Sequence, residues 1–107
     1  MKEKIKILYK QVGKPCEVRE IENTLEAKQE LVGGLIEIIP FHNVLLVCNE
    51  EGKLLNMPPN LLFKYDYIAG DCFFIGDDFE NSDFKSLTDE EIEKCKKEIE
   101  KRSVVGE

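Results

Sequence analysis

Two β-branched runs, Leu35 to Ile39 and Val44 to Cys48, stand only four residues apart, and no other feature limits the fold of this chain as strongly. Each is too short for an independent helix and too apolar for a loop. The pair therefore reads as a hairpin turned by Pro40-Phe41-His42-Asn43, with its strands at the centre of a sheet. A sheet with apolar faces needs other elements packed on it, so the flanking segments decide the architecture.

Residues Ile5 to Val12 alternate in polarity and read as a strand ended by Gly13-Lys14-Pro15, and Glu17 to Glu22 gives a second extended piece. Asn23 or Thr24 caps a helix carrying Leu25, Leu31 and Val32, and Gly33-Gly34 stops it. After the hairpin, Glu50-Glu51-Gly52 turns the chain. Lys53 to Asn56 continues the sheet until Pro58-Pro59 removes the backbone donors a ladder needs, and a loop or short helix begins there. Strand character returns at Tyr67 to Ala69 and Asp71 to Ile75, ending at Gly76-Asp77-Asp78. Thr88-Asp89-Glu90-Glu91 is a capping box, and Ile92, Cys95 and Ile99 follow at helical spacing. The expectation is one domain over residues 1–107. It is an α+β fold with a mainly antiparallel sheet, one helix after the second strand and one C-terminal helix, and Ser103 to Glu107 frayed.

A net charge of -7 in 107 residues leaves no overall cationic surface for a phosphate backbone, so nucleic acid is an unexpected partner. Lysines nevertheless crowd the first strand, at positions 2, 4, 6, 10 and 14, while acids dominate Asp77 to Glu93. If the lysine-rich strand faces a cleft, it favours an anionic ligand. No apolar run approaches the length a bilayer requires, and no export signal is visible, so a cytoplasmic location with reduced thiols is expected. Cys16, Cys48, Cys72 and Cys95 lack the paired spacing of a zinc site. Cys48 and Cys72, inside apolar strands, read as small buried hydrophobes, and no metal or cofactor is expected.

No catalytic constellation stands out. His42, the sole histidine, falls in the hairpin turn without a nearby nucleophile, and no Walker loop or GxGxxG is present. Glu50-Glu51 and Asp77-Asp78 read as solvated turn acids. The segment Asn49 to Asn60 holds a denser set of recognition groups. Asn49, Asn56 and Asn60 offer donors and acceptors, Glu51 and Lys53 add charge of both signs, and Pro58-Pro59 stiffens the loop. These five residues are the expected ligand-binding surface, although asparagine and proline also serve as ordinary turn residues. Phe63, Phe73 and Phe74 are either core or base-stacking residues.

The order of motifs carries a resemblance. Gly13-Lys14-Pro15, Ile21-Glu22-Asn23-Thr24-Leu25-Glu26, Gln29 to Gly34, Asn49 to Leu54, Pro58-Pro59-Asn60, Ile68 to Phe74, Gly76-Asp77-Asp78 and Phe84 to Asp89 together resemble a family of small proteins of unknown function carried by phages and plasmids of Gram-positive bacteria. Where relatives carry a basic residue after the Pro-Pro-Asn triplet, this chain has Leu61, which argues against a phosphate contact there. In size and element order it is also similar to phage anti-defence proteins that sequester cyclic nucleotide or cyclic ADP-ribose signals.

That resemblance implies a non-enzymatic binder of a small nucleotide-derived ligand, acting in the host cytoplasm as a homo-oligomer. A domain this small has little room for a deep pocket of its own, so a second copy would supply a wall. The alternatives are an acidic inhibitor of a nucleic-acid-binding host enzyme, acting through Asp77 to Glu93, and a small enzyme.

Overall fold

The computed structural model describes residues 3 to 104 and has an α+β fold. Its strands are β1 (Lys4–Lys10), β2 (Glu17–Glu22), β3 (Ile36–Phe41), β4 (Val44–Asn49), β5 (Pro59–Leu62), β6 (Tyr67–Ala69), β7 (Cys72–Asp78) and β8 (Asp83–Lys85). Helix α1 (Leu25–Val32) follows β2, and α2 (Asp89–Arg102) follows β8. The main sheet is antiparallel and runs β2-β1-β7-β4-β3, with β8 also paired to β7; β5 and β6 form a separate two-stranded sheet.

Alternation along the strands sorts the core into two layers. Ile5, Ile7 and Tyr9 of β1, Val47 of β4, and Phe73 and Ile75 of β7 face α1, where Val32 meets them. Leu8, Val44, Leu46, Cys48, Cys72 and Phe74 face the other way, under Ile92, Cys95 and Ile99 of α2 and under Leu61 and Ile68 of the small sheet. Phe73 and Phe74 are both inside, one on each face. Burying each contributes roughly 1.5–3 kcal/mol relative to an exposed ring.

Both helices are capped by residues the sequence singles out. Thr24 Oγ1 accepts from the Ala27 amide at 3.1 Å, and Gly33, at φ 79°, returns its N–H to the Gln29 carbonyl at 2.8 Å. At α2 the capping box is complete, with Thr88 Oγ1 accepting from Glu91 N at 3.1 Å and Glu91 Oε1 accepting from Thr88 N at 2.9 Å. Lys101 and Arg102 in the last turn complement the helix dipole.

The end expected to fray is held at Ser103 and Val104, whose amides donate to the Ile99 carbonyl at 2.8 Å and the Asn60 carbonyl at 3.1 Å, while residues 105–107 lie outside the described residues. Four further details depart from the sequence reading. The centre of the sheet is β7, whereas the hairpin strand β3 forms an edge, and Pro40 lies inside β3 opposite Leu45. An edge tolerates the donor that proline lacks. The hairpin turn is consequently only His42-Asn43, with His42 at φ 54°. Lys53 to Asn56 coils instead of extending: Leu55 N donates to Glu51 O and Met57 N to Gly52 O, each at 2.9 Å. Gly52 allows that coil to press on β6, since a Cβ there would lie 2.7 Å from the Ala69 carbonyl oxygen.

Pro59 begins a strand where the sequence suggests a stop, because its first position in β5 needs no ladder donor. Finally, β7 continues past Gly76 and accepts β8 beside it. At that point β8 replaces β1: Lys6 N donates to Ser86 Oγ at 2.8 Å, and Leu87 N donates to the Lys6 carbonyl at 3.0 Å.

Candidate functional site

The five residues expected from sequence to bind a ligand separate into three settings. Asn49 is buried at the end of β4, where Nδ2 donates to the Val32 carbonyl at 3.1 Å and Oδ1 accepts from Glu51 N at 2.7 Å. It ties the end of α1 to the following turn. Asn60 is only 1% exposed, with Nδ2 donating to the Lys10 and Gly70 carbonyls, each at 2.9 Å, and Oδ1 accepting from Lys10 Nζ at 3.0 Å. Glu51, Lys53 and Asn56 are exposed on the coil, and Asn56 holds φ 57° there.

Lys53 pairs with Asp66, and its ammonium lies 4.7 Å from the centre of the Tyr67 ring. The pair holds the Asp66 carboxyl below, and the Lys53 ammonium above, their ordinary ranges through the hydrogen bond they share. Lys53 and Asn49 border one small cavity of about 190 Å³, together with Glu37, Cys48 and Asp66. Tyr67 and Asp66 also line a larger cleft of about 380 Å³, so the expected surface adjoins that cleft without forming it.

Besides the Asp66–Ile68 segment, three further places supply the rings and the cation of the cleft. The β3–β4 turn brings Phe41 and His42, the segment leaving β5 brings Phe63, and the end of α2 brings Arg102. Phe41 meets Phe63 edge-on at 6.0 Å and Phe74 at 5.5 Å, so its ring is held from the core side. The Arg102 guanidinium lies 4.4 Å from the Phe63 ring centre and 5.7 Å from that of Phe41. Its Nε donates to Glu98 Oε1 at 2.9 Å, which holds the Glu98 carboxyl below its ordinary range. Its Nη1 reaches the Leu62 carbonyl at 3.4 Å. A guanidinium has five N–H donors, so this one is oriented and still has donors for a ligand.

From Phe41 and His42 a second hollow of about 650 Å³ continues along α2, past Val44 and a wall of mixed charge in which Lys94 pairs with Glu90 and Lys101 with Glu98, each at 3.8 Å, beside Glu91 and Lys97. Volumes of this order are those of small-molecule sites. Apolar aromatic walls accept a flat ring, while Arg102 accepts a negative group. Of the three phenylalanines noted in the sequence, Phe73 and Phe74 are core, and Phe63 is the one at the cleft.

The sequence reading passes over Arg102, although a signal exists. Ile92, Cys95 and Ile99 mark the buried stripe of α2, and Arg102 stands three residues beyond Ile99 on its border. Cys48, Cys72 and Cys95 are buried and unpaired, and burial pushes all three thiols up, Cys48 to about 11 and Cys95 to about 12. Such thiols are poor nucleophiles. Among the described residues, no three of His, Cys, Asp or Glu are grouped so as to hold a metal ion, and no helix is long and apolar enough to cross a membrane.

Comparison with known proteins yields one match. The model of the family described as Domain of unknown function (DUF3846) covers residues 5–100. Neither a curated protein nor a solved structure matches the chain. The matched span runs from the start of β1 to the last turns of α2 and includes every strand of both sheets, so this chain belongs to the DUF3846 family.

Proposed function

We propose that this chain is a binding protein that holds a small nucleotide-derived ligand, such as a cyclic nucleotide or a cyclic ADP-ribose isomer, without transforming it. The observation that supports this reading is Arg102, laid over Phe63 and Phe41 in an open cleft. A base fits against aromatic edges, and a phosphate fits the free guanidinium donors. Sequestration of a phage-encoded kind is the use the sequence resemblance suggests. A second copy of the chain would close the open side of the cleft, making the working form a homo-oligomer.

Calorimetry against a panel of cyclic nucleotides and cyclic ADP-ribose isomers tests the reading, with wild type compared to Arg102→Ala and Phe63→Ala. The expected result is a ligand recovered unchanged, bound by wild type and weakened at least about tenfold by either substitution. Silence across the panel, or full binding by both variants, would overturn it. Light scattering with and without the ligand tests the oligomer.

A second reading has its own support. Phe79 is 77% exposed beside Asp77 and Asp83, on a groove of about 310 Å³ shared with Ile38 and Leu45. An apolar ring framed by carboxylates suits a basic protein surface, in keeping with an acidic inhibitor. Salt-sensitive capture of a basic host enzyme, lost in Phe79→Ser and in Asp77→Asn, is the result that would favour it.

A further inference from the structure

Lys10 ends β1 on the same face as the fully buried Leu8, so alternation turns its side chain inward. It is 3% exposed. Its Nζ donates to the Gln11 carbonyl at 2.8 Å and to Asn60 Oδ1 at 3.0 Å, both neutral acceptors. Among the described residues no carboxylate lies within 4.0 Å of it. The nearby acid Asp71 is occupied, accepting from Val12 N at 2.9 Å and from the Tyr9 hydroxyl at 3.4 Å. An ammonium has three donors, so one remains, and a buried charge without a counter-ion is costly. Burial accordingly lowers the pKa of Lys10.

This lysine lines a cavity of about 550 Å³ between the Gly13–Cys16 turn and α2. Lys14 and Lys96, both exposed, stand on the same cavity, and Glu100 is the one acid among the residues that line it. Lys96 lies 3.7 Å from Glu93 on its own helix. In a chain of net charge -7, three ammonium groups around one hollow are a local reversal of sign. The cavity touches α2 at Lys96, Ile99 and Glu100 and at its C-cap Ser103, whereas the aromatic side touches it at Lys94, Lys97, Glu98 and Lys101, the opposite flank of the helix.

We propose that this cavity is a phosphate site, in which Lys10 is the buried anchor and Lys14 and Lys96 close over the anion from the rim. Phosphate suits it better than a carboxylate, because it brings close to two negative charges and several acceptor oxygens to three cations. The Lys10 ammonium would gain the counter-ion that the fold does not supply. The site is independent of the aromatic cleft and does not rest on the ligand proposed for it.

The test is calorimetry and ³¹P line broadening with inorganic phosphate, and separately with ribose 5-phosphate, on the full chain. Lys10→Met is expected to abolish binding, but it also removes a buried hydrogen bond to Asn60. The double variant Lys14→Ala with Lys96→Ala changes only exposed side chains and therefore carries the decision. Binding of either probe that this double variant weakens about tenfold or more supports the site. Tighter binding of the sugar phosphate would identify an ester as the ligand, and equal binding a free anion. No binding by wild type up to about 10 mM, or binding that the double variant leaves unchanged, overturns it.

Discussion

Asn60 grips Lys10 at both ends: its Nδ2 donates to the lysine's own carbonyl at 2.9 Å, while its Oδ1 accepts from the ammonium of the same residue at 3.0 Å. One amide thus joins the small sheet to the main one and fixes a buried cation. Replacing Asn60 by alanine removes one of the two acceptors of that cation and the side-chain donor to two backbone carbonyls, and should lower stability by about 3 kcal/mol. Urea unfolding measures it, and a loss below about 1 kcal/mol would show the clamp to be weak.

Asn56 offers a contrast within the same loop. Its φ of 57° is costly for most side chains, so Asn56→Ala should destabilise by about 1 kcal/mol while Asn56→Gly is neutral or stabilising. The glycine variant separates shape from recognition. If it keeps the melting temperature but weakens binding of the calorimetry ligand, the asparagine side chain contacts that ligand; unchanged affinity assigns Asn56 to the turn alone.

Gly76 is required for a different reason. A Cβ there would lie 2.6 Å from the Lys85 carbonyl oxygen and 2.8 Å from that of Ser86, both backbone atoms of the segment that displaces β1. Gly76→Ala should therefore cost about 3 kcal/mol or detach β8, seen as lost amide protection at Phe84 and Lys85. An alanine variant with native stability and protection would contradict the close approach.

The buried thiols set an alkaline limit. Cys48 is raised to about 11 by burial and by the nearby Glu37 carboxylate, from an ordinary 9.0. A proton held more tightly when folded stabilises below pH 9, and the contribution is lost as pH rises from 9 toward 11, by about 1.4 kcal/mol per unit. Lys10 and Lys28, lowered by burial, act in the opposite sense up to 10.5, so a variant isolates the thiol. Cys48→Val should fall less steeply than wild type between pH 9 and 11; equal slopes would remove the thiol from the account.

What the sequence revealed was mostly local. The hairpin pairing, the capping box at Thr88 and the Gly33 stop all depend on residues a few positions apart; the last two stand as read, and the hairpin stands with a shorter turn and at the sheet's edge. Strand β8 did not announce itself, because Asp83-Phe84-Lys85 has no strand pattern and is extended only by pairing with β7 across Gly76. The expected site suffered in the same way. Asn60 reads as a loop polar residue until Lys10, fifty positions earlier, is placed beside it. Lys10 itself was legible in principle, since it shares the parity of the apolar Leu8.

The central position of β7 has a consequence for the order in which the molecule can assemble. The strand pairs with β1, from the start of the chain, and with β4, yet it begins only at Cys72. A nascent chain that has emerged only to Ala69 holds the β1–β2 and β3–β4 hairpins without the strand that pairs them into one sheet, each exposing both its edges and its apolar side chains. Folding must wait until β7 has been made and then close long loops at once, which favours slow, cooperative collapse over stepwise growth. Chains stalled on the ribosome before Cys72 should stay sensitive to protease, and protection should arrive in one step when β7 clears the exit tunnel.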